Sequence, residues 1–432
     1  MSRVGTATPL VAAGARASSL AARLPGTWPT LVALYLVSRA FSTLVLLAVY
    51  EWALLTDQTF ITPGSGRSFL QFTASWDADR FRTIALHGYP TVLPRDATGD
   101  VTPNGWAFLP VFPALAHLLM VATGMDFAVA ALLLSTVTGA VAAVLLYRLV
   151  EPRVGHAAAL WATLFFCFGP LSFVFSVGYS EGLFLTLVFG GVLAVQRRRY
   201  ELVALCGVVA AFTRPGALAL SLALAIHLVV RWRTEAPLAG RSGRLGIVAG
   251  EGRLGRLGGG VLRGSLPVRQ AVVVIAVGLV TAAAGLAWPV VVHVVTGVPD
   301  GYLQTEMAWW KDYVGDPPFV PLTPWFLLAG RWLGVGGIAL VLVLVGAVVL
   351  GITRRGTLRL GHEVVGFGAS FFLYVFAVFL PQQSLFRILL PLTPLLASPT
   401  ITDRAWARRG LLVAGIALQP VAVVLLWVYT AP

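Results

Sequence analysis

Long apolar runs alternate with short connections rich in Gly, Pro and charge along the whole chain. About 20 apolar residues suffice for an α-helix to cross a hydrocarbon core, and the clearest such runs are 270–296, 331–351, 362–380 and 410–430. The same pattern predicts spans over 28–52, 127–147, 156–175, 182–196 and 385–399. The stretch 201–230 is interrupted at Thr213-Arg214-Pro215-Gly216, which predicts a hairpin of two short helices with Arg214 near the outer side. The expected fold is therefore an all-α polytopic membrane protein, with about eleven transmembrane helices in a single transmembrane domain over 1–432. Segment 106–123 is apolar but carries Pro110 and Pro113. It is read as lying in the outer interface or re-entering, where surrounding protein can bury irregular backbone.

Composition agrees with a lipid-facing chain: 58% of residues are hydrophobic and 11% charged, against roughly 25% charged in an average globular domain. The net charge of +13 raises the possibility of nucleic-acid binding, but Lys311 is the only lysine and no nucleic-acid-binding motif accompanies the arginines. The basic clusters instead fall between apolar runs, as the positive-inside rule requires of cytoplasmic loops. Orienting the chain by them places the N-terminus inside and a first loop, 53–105, outside. An Arg/Gly-rich low-complexity loop, 231–269, is then cytoplasmic, and a second loop, 297–330, lies outside. The arginine bias resembles that of a GC-rich coding sequence, so a bacterial plasma membrane is the expected location. Cys167 and Cys206 both lie in apolar segments and carry neither metal-ligand nor secreted-disulfide spacing.

The first external loop is where chemistry concentrates. Ser75 as N-cap, with Gly88 and Pro90 as stop signals, predicts a three-turn helix over 76–87. Trp76, Phe81, Ile84 and Ala85 give it an apolar side suited to lying on the membrane. Asp77 and Asp79 fall in its first turn. Helix-dipole stabilisation, worth about 0.3–1 kcal/mol, is one reason for acids there; reactive carboxylates at the water–lipid boundary are the other. Glu181 stands at the start of an apolar span, and Arg214 sits between two half-helices, where an ionisable group marks a site or pairs with Glu181. Arg387 at a span end can snorkel or bind an anion. His87 ends its helix, a position that favours His in any case. Arg39, inside the first span, is expected to pair internally, and Trp309-Trp310 to sit at the membrane interface.

The run Trp76-Asp77-Ala78-Asp79-Arg80-Phe81, continuing to His87-Gly88-Tyr89, strongly resembles the PIG-V-type mannosyltransferases of the GT-C superfamily. Further landmarks follow in the family's order. Trp106-Ala107-Phe108-Leu109-Pro110-Val111-Phe112-Pro113 is similar to its Phe-Phe-Pro-X-Phe-Pro segment, and Gly178-Tyr179-Ser180-Glu181-Gly182-Leu183-Phe184 to its Gly-Tyr-Ser-Glu-X-Leu-Phe motif. Thr213-Arg214-Pro215-Gly216 resembles its Arg-Ser-Asn-Gly turn, Ser38-Arg39 the Arg of its first span, and Phe386-Arg387 with Pro391 its C-terminal Arg-aromatic stretch. The departures are Arg80 for the usual His, Asp79 for Glu, and Pro215-Gly216 for Ser-Asn.

The resemblance implies a GT-C-like fold and transfer of mannose from a polyprenyl-phosphate donor to an acceptor hydroxyl on the outer face. The acceptor is a glycan, glycolipid or protein. The phosphate leaving group departs without a protonating acid, so one base suffices where a glycosidase uses two carboxylates. Asp77 matches the family's fixed aspartate and is the expected catalytic base. Asp79, His87, Glu181, Arg214 and Arg387 are expected to bind substrate, the two arginines at the donor phosphate. No cofactor or metal is expected, although Asp77 and Asp79 leave open a divalent ion shared with phosphate oxygens. The same mechanism with arabinose or glucose is the alternative within enzymes. A transporter is the alternative outside them, and the internal repeats typical of transporters are not evident.

Overall fold

The computed structural model describes residues 27–56, 58, 68–235 and 267–429. Most of the Arg/Gly-rich loop expected over 231–269 therefore lies outside the described residues, as does part of the first external loop. The described residues are helical, with no strand beyond an isolated bridge between Arg95 and Val101. Five helices are long and apolar enough to cross a membrane, and several shorter apolar ones pack among them. The chain is a multi-pass membrane protein.

Helix α1 (Thr27–Leu55) is followed by two short helices, α2 (Phe69–Thr73) and α3 (Asp77–His87), and then α4 (Val111–Thr123). At ~1.5 Å per residue α4 spans only about 20 Å, short of a bilayer core. Helix α5 (Phe127–Phe168) is two helices joined at Gly155, whose φ of 80° breaks the helix just after Pro152. The halves run antiparallel: Tyr147 Oη meets His156 Nδ1 at 2.6 Å near the bend, and Thr136 donates to the Phe175 carbonyl at 3.1 Å near the open end. This is the hairpin predicted from 127–147 and 156–175.

Helices α6 (Glu181–Gln196), α7 (Tyr200–Ala211) and α8 (Leu218–Glu235) continue the up-and-down path, with Arg214 in the turn between α7 and α8 as predicted. After α9 (Val268–Thr296), the second loop carries α10 (Gly301–Ala308) and α11 (Lys311–Val314). Helix α12 (Pro324–Thr353) begins inside the range expected for that loop, and α13 (Arg355–Leu358) leads to α14 (His362–Val378). Residues 385–399, expected as one span, are instead a chain of short turns: α15 (Leu385–Ile388), a 3-10 segment Leu390–Ala397, and α16 (Pro399–Thr402). Pro391, Pro394 and Pro399 remove the backbone donors a continuous α-helix would need. Helix α17 (Ala405–Val423) ends in a π-helical turn, Val424–Tyr429.

The packing sorts the connections into two ends. Arg148 stacks on Trp28, Arg153 pairs with Glu363, and Arg231 bonds Tyr200, so these arginines share one end with the Arg197–Arg199 turn and α13. The opposite end gathers α2, α3, the start of α6, the α7–α8 turn and α15. Arg39 crosses neither end. It is buried in α1, donates to the carbonyls of Ser172 and Cys167, and lies 5.0 Å from the Tyr35 ring centroid. The expected internal pairing thus uses backbone carbonyls and an aromatic face, which satisfies a guanidinium without a second charge. Cys167 is buried and Cys206 partly so, and neither forms a disulfide.

Gly182 at the start of α6 packs closely against the backbone of α5. A Cβ there would lie 2.8 Å from the Gly139 amide nitrogen, the Ser135 carbonyl and Thr138 Oγ1. Two of these are backbone atoms that cannot turn aside. Gly190, farther along the same helix, would meet only Cys206 Sγ at 3.6 Å and Leu145 Cδ1 at 3.7 Å. Gly182→Ala is therefore expected to cost about 1–3 kcal/mol through overpacking, with Gly190→Ala close to neutral. Thermal unfolding of both variants in detergent checks the contrast.

Candidate active site

Local backbone geometry sets the position of Asp77. Helix α2 is fixed by a capping box between Ser68 and Gln71, and its end is held by Gly178 N–H donating to the Thr73 carbonyl at 3.0 Å. A Cβ at Gly178 would come within 3.1 Å of Ala131 Cβ and 3.3 Å of Ala78 Cβ, so glycine lets the first turn of α3 sit close. Ser75 is not the N-cap expected of it. Its hydroxyl donates back to the Gln71 carbonyl at 3.2 Å, and α3 starts at Asp77 with Trp76 as N-cap. Trp76 has φ 59° and ψ −118°, a sparsely populated conformation for a non-glycine residue that costs of order 1–3 kcal/mol. Its indole N–H donates to the Trp427 carbonyl at 2.9 Å, an anchor from the far end of the chain.

The apolar side of α3 faces protein, which corrects the expectation that it lies on the membrane. Phe81 packs against Phe108 and Phe112 at ring-centroid distances of 5.5 and 5.0 Å, and Ile84 is buried. The motif Trp106–Pro113 thus supplies the wall on which the Asp77 helix rests. The short helix offers too little apolar surface to both a protein wall and lipid.

Four of the six residues singled out in the sequence meet in one buried ionic centre. Arg387 Nη1 lies 2.6 Å from Asp77 Oδ2 and 2.8 Å from Glu181 Oε1. Arg214 Nη1 reaches the same Glu181 oxygen at 2.8 Å and donates to Ser180 Oγ at 3.2 Å. Two arginines and two carboxylates balance in charge, and the Arg387 and Glu181 side chains are only 9% and 3% exposed. Tyr179 lies beneath Arg387, with 5.1 Å from its ring centroid to the guanidinium carbon, and its hydroxyl accepts from the Asp77 amide at 3.4 Å. Trp427 packs against Tyr179 with ring centroids 5.1 Å apart. Glu181 Oε2 and Arg387 Nε are buried with no hydrogen-bond partner. A buried acceptor and donor left over in this way are costly unless a further group meets them.

Asp79 and His87 lie elsewhere on α3. Asp79 is partly buried about half a turn along, and Thr83 Oγ1 donates to its carbonyl. Exposed His87, near the helix end, lines an open cleft of about 480 Å³ with Arg80, Thr83, Asn104 and the 88–90 turn. Trp309 and Trp310 are packed on protein, correcting the interface reading. Trp310 is buried against Phe319, while Trp309 lies against Phe108 and beneath Arg80. Nothing local in the sequence marked Trp427, whose role depends on a contact about 350 positions away from Trp76. Glu306 on α10, one of the charged residues of the second loop to which the sequence assigns no role, is a partly buried carboxyl pushed up to about 7 by loss of hydration, against which a hydrogen bond with Tyr302 works.

Helices on this scale and an ionic centre at one end of them describe a membrane protein that keeps a cluster of charged groups largely shielded from water. Residues 29–227 match the family model described as Mannosyltransferase (PIG-V). Over those residues the chain is similar to the PIG-V-type mannosyltransferases, a similarity that supports an enzyme of the glycosyltransferase class. No curated protein matches the chain.

Two outcomes follow from this geometry. Replacing Arg387 by Met leaves Asp77 and Glu181 facing a single Arg214, and breaking a buried pair in this way costs about 3–5 kcal/mol. Adding Asp77→Asn to that variant removes one of the stranded charges, so equilibrium unfolding of the double variant is expected to recover part of the loss. The second concerns Glu306. A carboxyl that holds its proton to about 7 when folded, against a usual value of 4.5, binds more protons folded than unfolded in that window. Stability therefore falls as pH rises from 4.5 to 7. Thermal unfolding across that range is expected to show a flatter profile for Glu306→Gln than for the parent chain.

Proposed function

We propose that the chain moves mannose from a polyprenyl-phosphate-mannose donor to an acceptor hydroxyl, inverting the anomeric carbon, with Asp77 as the base. The observation that carries this reading is the convergence of Asp77, Glu181, Arg214 and Arg387 in one centre. Its place opposite the Arg-rich turns favours an outward-facing site under the positive-inside rule. About eleven membrane crossings are compatible with the up-and-down path of the helices. The basic turns also agree with a plasma-membrane location.

In the reaction the acceptor oxygen attacks the anomeric carbon as the bond to the phosphate oxygen breaks. The bond's electron pair leaves on the lipid phosphate, and the acceptor proton passes to Asp77. The phosphate gains a full negative charge as it leaves, and fixed guanidinium groups in a water-poor site stabilise that charge most where it develops. Arg387 has a free Nε donor for it. As the phosphate engages Arg387, the Asp77 oxygen that Arg387 now holds at 2.6 Å becomes available to the acceptor. Arg214 keeps Glu181 in place and adds positive charge behind it. Glu181 Oε2 can take a hydrogen bond from a sugar hydroxyl. His87 lines the outer cleft, on the side where the acceptor would approach. No metal is required at this centre, because the arginines supply the positive charge.

Loss of a positioned base lowers turnover by roughly 10²–10⁴-fold, and this drop is expected for Asp77→Asn but not Asp79→Asn. The comparison uses labelled polyprenyl-phosphate mannose, candidate acceptors and equal amounts of folded protein. Near-normal turnover in Asp77→Asn with loss in Asp79→Asn would reverse the assignment; full activity in both would remove the single-base mechanism.

A further inference from the structure

The opposite end of the same helices holds a second cluster that the transfer reaction does not use. His227 on α8 and His362 at the start of α14 face each other with Nδ1 and Nε2 2.9 Å apart and ring planes within 13° of parallel. Glu363 follows His362, with Oε2 3.5 Å from His362 Nδ1. His227 and Glu363 are buried. Among the described residues this is the one group of three His, Cys, Asp or Glu side chains whose ligand atoms all lie within 4.8 Å of one another.

Two imidazole nitrogens this close cannot present bare lone pairs to each other; they share a proton or turn together onto a cation beside them. The surroundings suit a cation. Tyr200 Oη lies 3.2 Å from His227 Nε2, the ring nitrogen remote from His362. When the hydroxyl accepts a hydrogen bond from that nitrogen, the ligating lone pair falls on Nδ1, the outer-shell arrangement characteristic of metal-binding histidines. Arg231 Nη1 in turn donates to Tyr200 Oη at 2.9 Å and fixes it, while Arg231 Nη2 donates to Gln270. Glu363 brings the one negative charge, and Arg153, half-exposed at 3.3 Å, closes its outer side. Gly361, with φ 89°, makes room for this pair: a Cβ there would meet Glu363 Oε2 at 2.9 Å and Arg153 Nε at 3.0 Å.

We propose that His227, His362 and Glu363 form a binding site for a divalent transition-metal ion of the zinc type, which clips α8 to α14 at the end remote from the ionic centre. Zinc takes imidazole nitrogen at about 2.0–2.1 Å and carboxylate oxygen at about 2.0–2.2 Å, and two such nitrogens on a tetrahedral ion stand roughly 3.3 Å apart. The observed 2.9 Å needs to open by only a few tenths of an ångström. Three protein ligands leave a fourth position for water. Calcium or magnesium is disfavoured, since both take oxygen ligands.

The test uses the full chain in detergent, stripped with a chelator and then exposed to Zn2+, with unbound metal removed. Metal analysis is expected to find about one zinc per chain in the parent and in Asp77→Asn. Less than a tenth of that is expected in His362→Ala and Glu363→Gln. Zn2+ is also expected to raise the unfolding temperature of the parent, and Co2+ in its place to give the visible bands of a four-coordinate site. Absence of retained zinc together with an unfolding temperature indifferent to Zn2+ would overturn the proposal in favour of a shared proton. Equal zinc in the parent and both ligand variants would overturn it as well. Should the variants fail to fold, the parent's stoichiometry, thermal shift and cobalt spectrum still decide.

Discussion

Two guanidinium groups and two carboxylates are held largely out of water at one end of the helices, and the arrangement persists because their charges cancel. Arg387 Nη1 serves Asp77 and Glu181 together, and Glu181 Oε1 serves both arginines. Each group is thus the condition for burying another. Networks of this kind give little net stability over a well-packed apolar core, because desolvation offsets most of the attraction. What they confer is position. The strained turn at Trp76, the glycine at 178 and the packing of α3 on α4 all bring Asp77 to the one place where Arg387 can meet it.

That dependence explains how the two parts of the chain belong together. Residues 29–227 match the family model and supply Asp77, Glu181 and Arg214. Left to themselves they would carry one uncompensated negative charge. Arg387 restores neutrality from beyond that region, on a short helix followed by a proline-broken 3-10 segment. Trp427, farther on still, accepts from Trp76 through its carbonyl and donates its own indole N–H to the Phe72 carbonyl at 3.1 Å. The C-terminal helices are thereby part of the site's construction.

Much of this was legible in the sequence, for identifiable reasons. Apolar runs bounded by arginines, and breaks such as Thr213–Gly216, follow from the cost of placing polar backbone and charge in lipid, and they located most of the helices. The scarcity of acids made Asp77 and Glu181 conspicuous, and the order of the motifs linked them to Arg214 and Arg387. What stayed hidden depends on contacts between distant residues. Ser75 has the chemistry of an N-cap, yet its hydroxyl is drawn back to Gln71 because α2 ends immediately before it. The α3 helix shows an apolar side suited to lipid, yet Phe108 and Phe112 cover it. Residues 385–399 have the hydropathy of a span, but three prolines decide the backbone.

The two polar centres are linked by the antiparallel pair α8 and α14. A Cβ at Gly216, at the head of α8, would meet Phe371 Cε2 at 3.0 Å, while His227 meets His362 at the other end. Arg214 precedes Gly216 by two residues, and Arg387 follows α14 after a short connection. The residues that flank α8 and α14 thus include both guanidinium groups of the ionic centre. An interaction joining the helices at the His227–His362 end restrains one end of a lever whose other end carries Arg214 and Arg387. Interiors packed at the density of organic crystals transmit such restraints because they do not deform smoothly. In a bilayer, where lipid tails drive helices together no more than they drive them apart, side-chain contacts of this kind must hold the distance.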